Sequence, residues 1–113
     1  TILREHKTVF MYLKKDDLQR FNFQKGDSEG IVNYGLNLKN IVFSVIFIED
    51  LNMENTVKIF FRSKGSFSCN EFAKQHFNGG GHFNAAGAKE NDSLENTILK
   101  FKKIILNSNS IEK

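Results

Sequence analysis

The chain has 113 residues, 40% of them apolar and 12 of them Phe, which suits one domain with a core of phenyl rings and branched aliphatic side chains. Sixteen basic residues against 13 acidic ones give a formal charge of +3, well below that of a protein that coats DNA. The one cysteine, Cys69, excludes an internal disulfide and is expected to be a small buried side chain. No apolar run approaches the ~20 residues that span a bilayer. Together these features predict a cytoplasmic protein.

The first half of the chain alternates apolar runs with helical patterns. Four segments are predicted to be regular: a strand over 8–13, one helical turn over 15–20, a helix over 29–36 and a strand over 41–48. The last of these is apolar almost throughout, which indicates a central strand covered on both faces. Asp27 or Ser28 is expected to cap the helix, because short polar side chains accept hydrogen bonds from first-turn amides.

A second strand is predicted over 56–62, after turn residues at 49–55, as the antiparallel partner of the central strand. Alternation divides its side chains between the two faces of the sheet: Val57, Ile59 and Phe61 on one, and Lys58, Phe60 and Arg62 on the other. A short helix follows over 70–77, and the small residues 85–89 are compatible with a short strand or a loop.

The clearest helix begins near Asp92, which is expected to form a capping box with Glu95. Its apolar residues recur at spacings of four, three and four, so they predict a stripe that docks on the sheet: Leu94, Ile98, Phe101 and Ile105. Three basic residues of this helix are expected to face solvent: Lys100, Lys102 and Lys103. With a frayed tail over 107–113, the whole pattern predicts a single α/β domain, a mixed β-sheet covered by helices.

Three consecutive glycines, Gly79, Gly80 and Gly81, lead into His82 and then into the small residues 85–87. Glycines let a backbone approach a ligand closely, and their amides can form a concave nest that binds an anion. His82 at the edge of such a nest would hold a phosphate or stabilise charge that develops on it. The alternative is a flexible turn with a surface imidazole.

Further candidate ligands lie on either side of the glycines. Arg62 can hold a phosphate with two hydrogen bonds, or else form an ordinary ion pair at the end of its strand. Ser63 and Lys64 would add a hydroxyl and a charge to the same anion. Asn84 would bond a sugar or base edge, or else cap the turn. Phe77 and Phe83 flank the loop and would stack on a base, or else belong to the core, as most of the 12 Phe residues are expected to. No metal site is predicted, because the histidines are scattered and lack accompanying carboxylates.

Four short motifs in order resemble those of the DHH-associated domain, subfamily 1: Arg62–Gly65, Asn70–Ala73, Gly79–His82 and Ala85–Gly87. This domain is the C-terminal, substrate-binding part of the DHH phosphoesterases. The segment Lys25–Tyr34 is similar to one found in the bacterial nanoRNase group of that superfamily, so the resemblance covers about residues 25–105.

The resemblance implies a substrate-binding domain, with an ordered core over about 7–106, for a phosphoesterase that hydrolyses short oligoribonucleotides, adenosine 3',5'-bisphosphate or both. It places the catalytic Mn²⁺ ions in an N-terminal DHH domain, so the chain, which begins at Thr1 without Met, is expected to be an inactive fragment. The full-length form is a possible homodimer. His82 would be the residue of this chain that acts on the reacting phosphate.

The same resemblance leaves other functions open for this chain. The associated domain also occurs in cyclic-dinucleotide phosphodiesterases and single-strand exonucleases, and a related domain binds RNA and dimerises in tRNA synthetases without hydrolysis. The helix that contains Asn70–Ala73 and leads into the glycines favours the phosphoesterase setting. A purely structural domain is disfavoured because Arg62 and His82 occur together.

Overall fold

The structure is a computed structural model that describes residues 1–24 and 26–107. Six strands form one sheet: β1 (Ile2–Leu3), β2 (Thr8–Leu13), β3 (Phe43–Glu49), β4 (Val57–Ser63), β5 (Gly80–His82) and β6 (Ala85–Glu90). Four α-helices accompany them: α1 (Lys15–Arg20), α2 (Asp27–Leu36), α3 (Cys69–Phe77) and α4 (Leu94–Leu106). The α/β class predicted from the sequence is therefore confirmed.

The strand order across the sheet is β1-β2-β3-β4-β6-β5. Strands β2 and β3 run parallel, whereas the other neighbouring pairs are antiparallel, which makes the sheet mixed as predicted. The first six residues of β3 are buried, so this strand is central and covered on both faces. Register pairs Val45 with Phe61 and Ile46 with Phe60, in agreement with the antiparallel pairing expected of β3 and β4.

Two apolar clusters lie on opposite faces of the sheet. The larger one joins the sheet to α3 and α4, with Phe43 in ring contact with Phe61, Phe72 and Phe101 at centroid distances of 4.9 to 6.1 Å. The smaller one joins the other face to α1 and α2 through Leu18, Val32, Ile46 and Ile48. The predicted stripe of α4 is confirmed, since Leu94, Phe101 and Ile105 are buried in the larger cluster and Ile98 packs against it.

The predicted cap of α2 is wrong. Gly26, in the left-handed region at φ 102°, is the N-cap, and the helix begins at Asp27 rather than Glu29. The Asp27 carboxylate accepts a hydrogen bond from the Gln24 amide at 2.8 Å, so it closes the preceding turn instead of the helix end.

The capping box predicted for α4 is also wrong. Ser93 is the N-cap, and its hydroxyl accepts from the Asn96 amide at 3.1 Å. Asp92 instead accepts from the Asn96 side chain and the Ser93 amide, and these hydrogen bonds hold the pKa of Asp92 below its ordinary value. A serine that directly precedes the helix leaves no role at the cap for Glu95.

Both ends of the chain add detail that the sequence pattern does not carry. Strand β1 and a 3₁₀ turn over Arg4–His6 precede β2. Lys100 is not simply solvated, because its ammonium lies 2.8 Å from a Glu90 carboxylate oxygen and 4.5 Å from the centre of the Phe77 ring.

Most of the predicted frayed tail lies outside the described residues. Within them, no helix has the length and apolarity needed to cross a membrane.

Candidate functional site

Two of the three glycines, Gly80 and Gly81, lie in a strand rather than a turn. Gly80–His82 is the edge strand β5, which pairs antiparallel with β6 through a turn at Phe83 and Asn84. Of the two readings of residues 85–89, strand or loop, the structure supports the strand.

The three glycine amides do not form the predicted nest of free donors. The Gly79 amide donates to the Ala73 carbonyl at 3.0 Å and thereby closes the end of α3. The Gly81 amide donates to the Asn70 side-chain oxygen at 2.9 Å. Two of the three donors therefore have partners inside the protein, and the nest geometry expected from the sequence is wrong.

Close packing explains two of the glycines, Gly79 directly before β5 and Gly81 within it. A Cβ atom on Gly79 would lie 2.6 Å from the Ala88 Cβ and would collide with the Gly87 carbonyl oxygen. A Cβ atom on Gly81 would lie 2.6 Å from the Ala85 carbonyl oxygen. The small residues of β5 and β6 thus bring two backbones together where side chains would separate them.

Arg62, Ala85 and His82 occupy one row across three neighbouring strands. Ala85 of β6 pairs with Arg62 of β4 on one side and with His82 of β5 on the other. Neighbouring strands are about 4.8 Å apart, so the Cα atoms of Arg62 and His82 are separated by roughly 10 Å. The register therefore places Arg62 and His82 on either side of the small residue Ala85.

The guanidinium of Arg62 is held by two groups. Its Nη1 donates to the Phe61 carbonyl at 2.9 Å, and its Nη2 lies 3.5 Å from a Glu29 carboxylate oxygen. The Arg62 side chain is 16% exposed, whereas that of Glu29 is 64% exposed. The pair is loose, because its oxygen lies 3.5 Å from the arginine and the Glu29 side chain is mostly in contact with solvent.

Sequence pattern alone does not single out Glu29. It lies in the first turn of α2, where an acidic residue is common because it complements the helix dipole. The available signal is that Glu29 belongs to the segment 25–34, which resembles a segment of the nanoRNase group.

Ser63 and Asn84 tie the hairpin turn to the rest of the domain. Ser63 is buried, and its hydroxyl accepts from the Cys69 amide and the Asn84 side chain, both at 3.2 Å. Asn84 also donates to the Ser63 carbonyl at 2.8 Å. These contacts favour a positioning role for both residues over direct contact with a ligand.

Three other residues named from the sequence fall in different places. Lys64 donates to the Leu36 carbonyl at 3.0 Å, at the C-terminal end of α2. Phe77 is buried in the core at 2% exposure, so the prediction that it stacks on a base is wrong. Phe83 is 53% exposed in the β5–β6 turn, next to His82.

The remaining chemistry-bearing residues do not build a second reactive centre. Burial raises the pKa of the Cys69 thiol, which confirms the prediction of a buried cysteine. Burial, and then the charge of Lys100, lower the pKa of His76, which lies against the Phe72 ring at 4.8 Å. Across residues 1–24 and 26–107, no three His, Cys, Asp or Glu side chains gather in a way that would hold a metal ion.

The strand order and the row of Arg62, Ala85 and His82 describe an α/β domain that carries an arginine and a histidine near the edge of its sheet. Residues 6–107 match the DHHA1 domain, and the chain belongs to this family. The resemblance found in the sequence motifs is therefore confirmed.

The chain is also similar to individual known proteins. It is 33% identical over 86 residues to the bifunctional oligoribonuclease and PAP phosphatase NrnA of Bacillus subtilis (strain 168), which covers 76% of the chain. The structure of an exopolyphosphatase-related protein from Bacteroides fragilis superposes with a TM-score of 0.85 at 37% identity over 94% of the chain. A structure from Helicobacter pylori G27, with a TM-score of 0.55, 22% identity and 89% coverage, shares the fold.

The chain is much shorter than these proteins. It spans 26% of NrnA, 30% of the Bacteroides fragilis protein and 26% of the Helicobacter pylori protein. What the matched region shares with them is one domain of a larger molecule.

Proposed function

We propose that this chain is the substrate-binding domain of a phosphoesterase that hydrolyses short oligoribonucleotides, adenosine 3',5'-bisphosphate or both. The observation that carries the proposal is the row in which Arg62 and His82 flank the small side chain of Ala85. The name of NrnA, an oligoribonuclease and PAP phosphatase, supplies the substrate class.

The row can hold one phosphate between its two cationic or donor side chains. Arg62 would turn its planar donors from Glu29 to the phosphate oxygens, because a bidentate arginine–phosphate pair is stronger than the 3.5 Å contact with a solvated carboxylate. His82 would donate to the phosphate and stabilise charge that develops on it as the ester bond breaks. Gly80 and Gly87, which pair beside the row, would let a substrate approach the backbone.

Residues around the row would support binding. Ser63 and Asn84 would hold the turn that carries His82, and the exposed ring of Phe83 offers a stacking surface for a base. Lys64 would add attraction for the phosphate near the end of β4. Backbone amides of Gly79 and Gly81 would act by fixing β5 against α3, since both donate within the protein.

Metal-assisted attack by water is assigned to another part of the full-length protein. The described residues offer no ligand set for Mn²⁺, so this domain would bind and orient the phosphate while an N-terminal DHH domain holds the metal ions. A cytoplasmic location and a homodimeric full-length form belong to the same proposal.

The test of this proposal is hydrolysis by the full-length protein from which the chain comes. Short oligoribonucleotides and adenosine 3',5'-bisphosphate should be cleaved with manganese and spared after chelation. A protein that cleaves only cyclic dinucleotides or long single-stranded DNA, or that binds RNA without cleaving it, would contradict the proposed substrate class.

The 113-residue chain by itself is expected to fold and to hydrolyse nothing. It has two apolar clusters around a continuous sheet, but within its described residues it gathers no metal ligands. A cooperative thermal transition, together with no turnover of adenosine 3',5'-bisphosphate in manganese, is the expected result. Metal-dependent turnover by the purified chain would contradict the assignment of chemistry to the other domain.

Arg62→Lys in the same chain should weaken binding of adenosine monophosphate about tenfold, or ~1.4 kcal/mol, because lysine keeps the charge but loses the planar fork. Titration followed by amide chemical shifts measures this loss. Lys103→Ala, which removes an exposed charge from α4, should leave the affinity within twofold. If the lysine variant binds normally but melts earlier, Arg62 is a structural residue.

A further inference from the structure

A cavity of about 470 Å³ opens beside β4 on the face of the sheet that α1 and α2 cover. Its walls come from Phe23, Gln24 and Gly26, from the first turn of α2, from the β3–β4 loop, and from the ends of β3 and β4 on either side of that loop. Cavities of a few hundred cubic ångström with apolar walls and a few polar groups are the usual size and composition of small-ligand sites. None of the three residues Arg62, Ala85 and His82, which we call the phosphate row, lines this cavity.

The cavity lies next to the phosphate row along two elements. Phe60 lines it and precedes Arg62 by two residues, so both side chains share one face of β4 and their Cα atoms are roughly 7 Å apart. Ser28 also lines it, and the following residue, Glu29, reaches Arg62. A ligand whose phosphate replaces Glu29 would thus have the cavity within about one nucleoside length.

The lining suits a flat, partly polar ring. Phe23 and Phe60 are half-buried, so part of each ring stays open to a ligand while the rest packs on the smaller core cluster. Bases stack on aromatic rings of this kind in many nucleic-acid-binding proteins. Leu51 of the β3–β4 loop, which is exposed, adds a further apolar wall.

Asp50 supplies an acceptor at the edge of this lining. Its Oδ1 accepts from the Asn52 amide at 2.8 Å, and this hydrogen bond, helped by the charges of Lys58 and Lys89, outweighs burial and lowers the pKa of the carboxyl. The group therefore stays ionised near neutral pH. Asp50 is buried, so it adds a negative charge to the wall of the cavity, which favours a ligand with donor groups such as the exocyclic amine of adenine or cytosine.

From these positions we infer that the cavity beside Phe60 is a nucleobase subsite, which takes the base of the nucleotide whose phosphate lies between Arg62 and His82. The inference rests on the proposed function. Such a subsite would make the domain prefer nucleotides over other phosphoesters, which a site for the phosphate alone would not do.

Two probes with the same sugar and phosphate test the subsite: adenosine 5'-monophosphate and ribose 5-phosphate. The chain should bind the nucleotide at least fivefold more tightly, and the extra amide shifts caused by the base should fall on Leu51, Asn52 and Phe60. Because this comparison uses the unaltered chain, it does not depend on any variant folding. Equal affinities, or base-dependent shifts confined to Phe83 and its neighbours, would overturn the inference.

Variants then separate the subsite from the phosphate row. Phe60→Ala should weaken adenosine monophosphate binding roughly 5- to 100-fold and leave ribose 5-phosphate within twofold, and Leu51→Ala, in an exposed loop, should act in the same direction. Phe21→Ala, an exposed aromatic residue outside this cavity, is the matched control and should change neither affinity. Loss of nucleotide preference in Phe83→Ala but not in Phe60→Ala would contradict the subsite.

Failure of the phosphate row gives a different result. If Arg62→Gln leaves both probes bound as before, the proposed function is wrong. If Arg62→Gln weakens both probes but Phe60→Ala weakens neither or both equally, the phosphate row stands and the base subsite is rejected.

Discussion

His82→Ala in the full-length protein is expected to lower turnover of short oligoribonucleotides roughly 10- to 1,000-fold. This range applies when one preorganised donor to a developing charge is removed. Stability should hardly change, because the His82 side chain is exposed and makes none of the side-chain hydrogen bonds found among the described residues. Steady-state kinetics together with thermal unfolding measure the two effects.

His76→Ala is the matched control for this variant. Its ring is half-buried against Phe72 and is a neighbour of Lys100, so its removal is expected to lower stability and leave turnover within about twofold. A fully active His82→Ala protein, with normal substrate affinity, would show that the row beside Ala85 is not the site of phosphate binding.

Most of the fold follows from short-range patterns in the sequence. The apolar run 41–48 and the alternation in 56–62 identify β3, β4 and the two faces of the sheet, because burial on both sides or one side imposes those patterns. The caps of α2 and α4 cannot be predicted in this way, because several adjacent residues could serve as the N-cap. The backbone geometry of the fold selects Gly26 and Ser93.

The candidate site is predicted in its residues but not in its geometry. Arg62 and His82 carry distinctive chemistry, yet only sheet order places them on either side of Ala85, and strand order is not encoded locally. The burial of Ser63 and Phe77 likewise depends on packing between distant elements. Glu29 and the cavity beside Phe60 emerge only when α2 is placed over β4.

The glycines illustrate the same limit, because one sequence signal is compatible with two physical causes. A run of glycines serves either ligand access or close backbone packing. The hydrogen bonds of Gly79 and Gly81 within the protein favour packing as their main role. Substitution can separate the two causes, since packing affects stability and access affects binding.

Gly79→Ala is expected to destabilise the chain by about 1–3 kcal/mol, the usual range when a methyl group is forced into a filled space. The added Cβ would collide with the Gly87 carbonyl oxygen and lie 2.6 Å from the Ala88 Cβ, so β6 and the end of α3 must move apart. Denaturant unfolding measures the change.

Gly30→Ala is the control for that loss, because it adds the same methyl group within α2, where no atom lies within 4 Å. Alanine favours the helix, so this variant should be more stable by roughly 0.5–1 kcal/mol. If Gly79→Ala instead unfolds like the unaltered chain but no longer binds adenosine monophosphate, the glycines serve ligand access and the packing explanation is wrong. If it loses stability while the folded fraction binds normally, the glycines act by bringing β5 and β6 together, and phosphate recognition belongs to the side chains of the row.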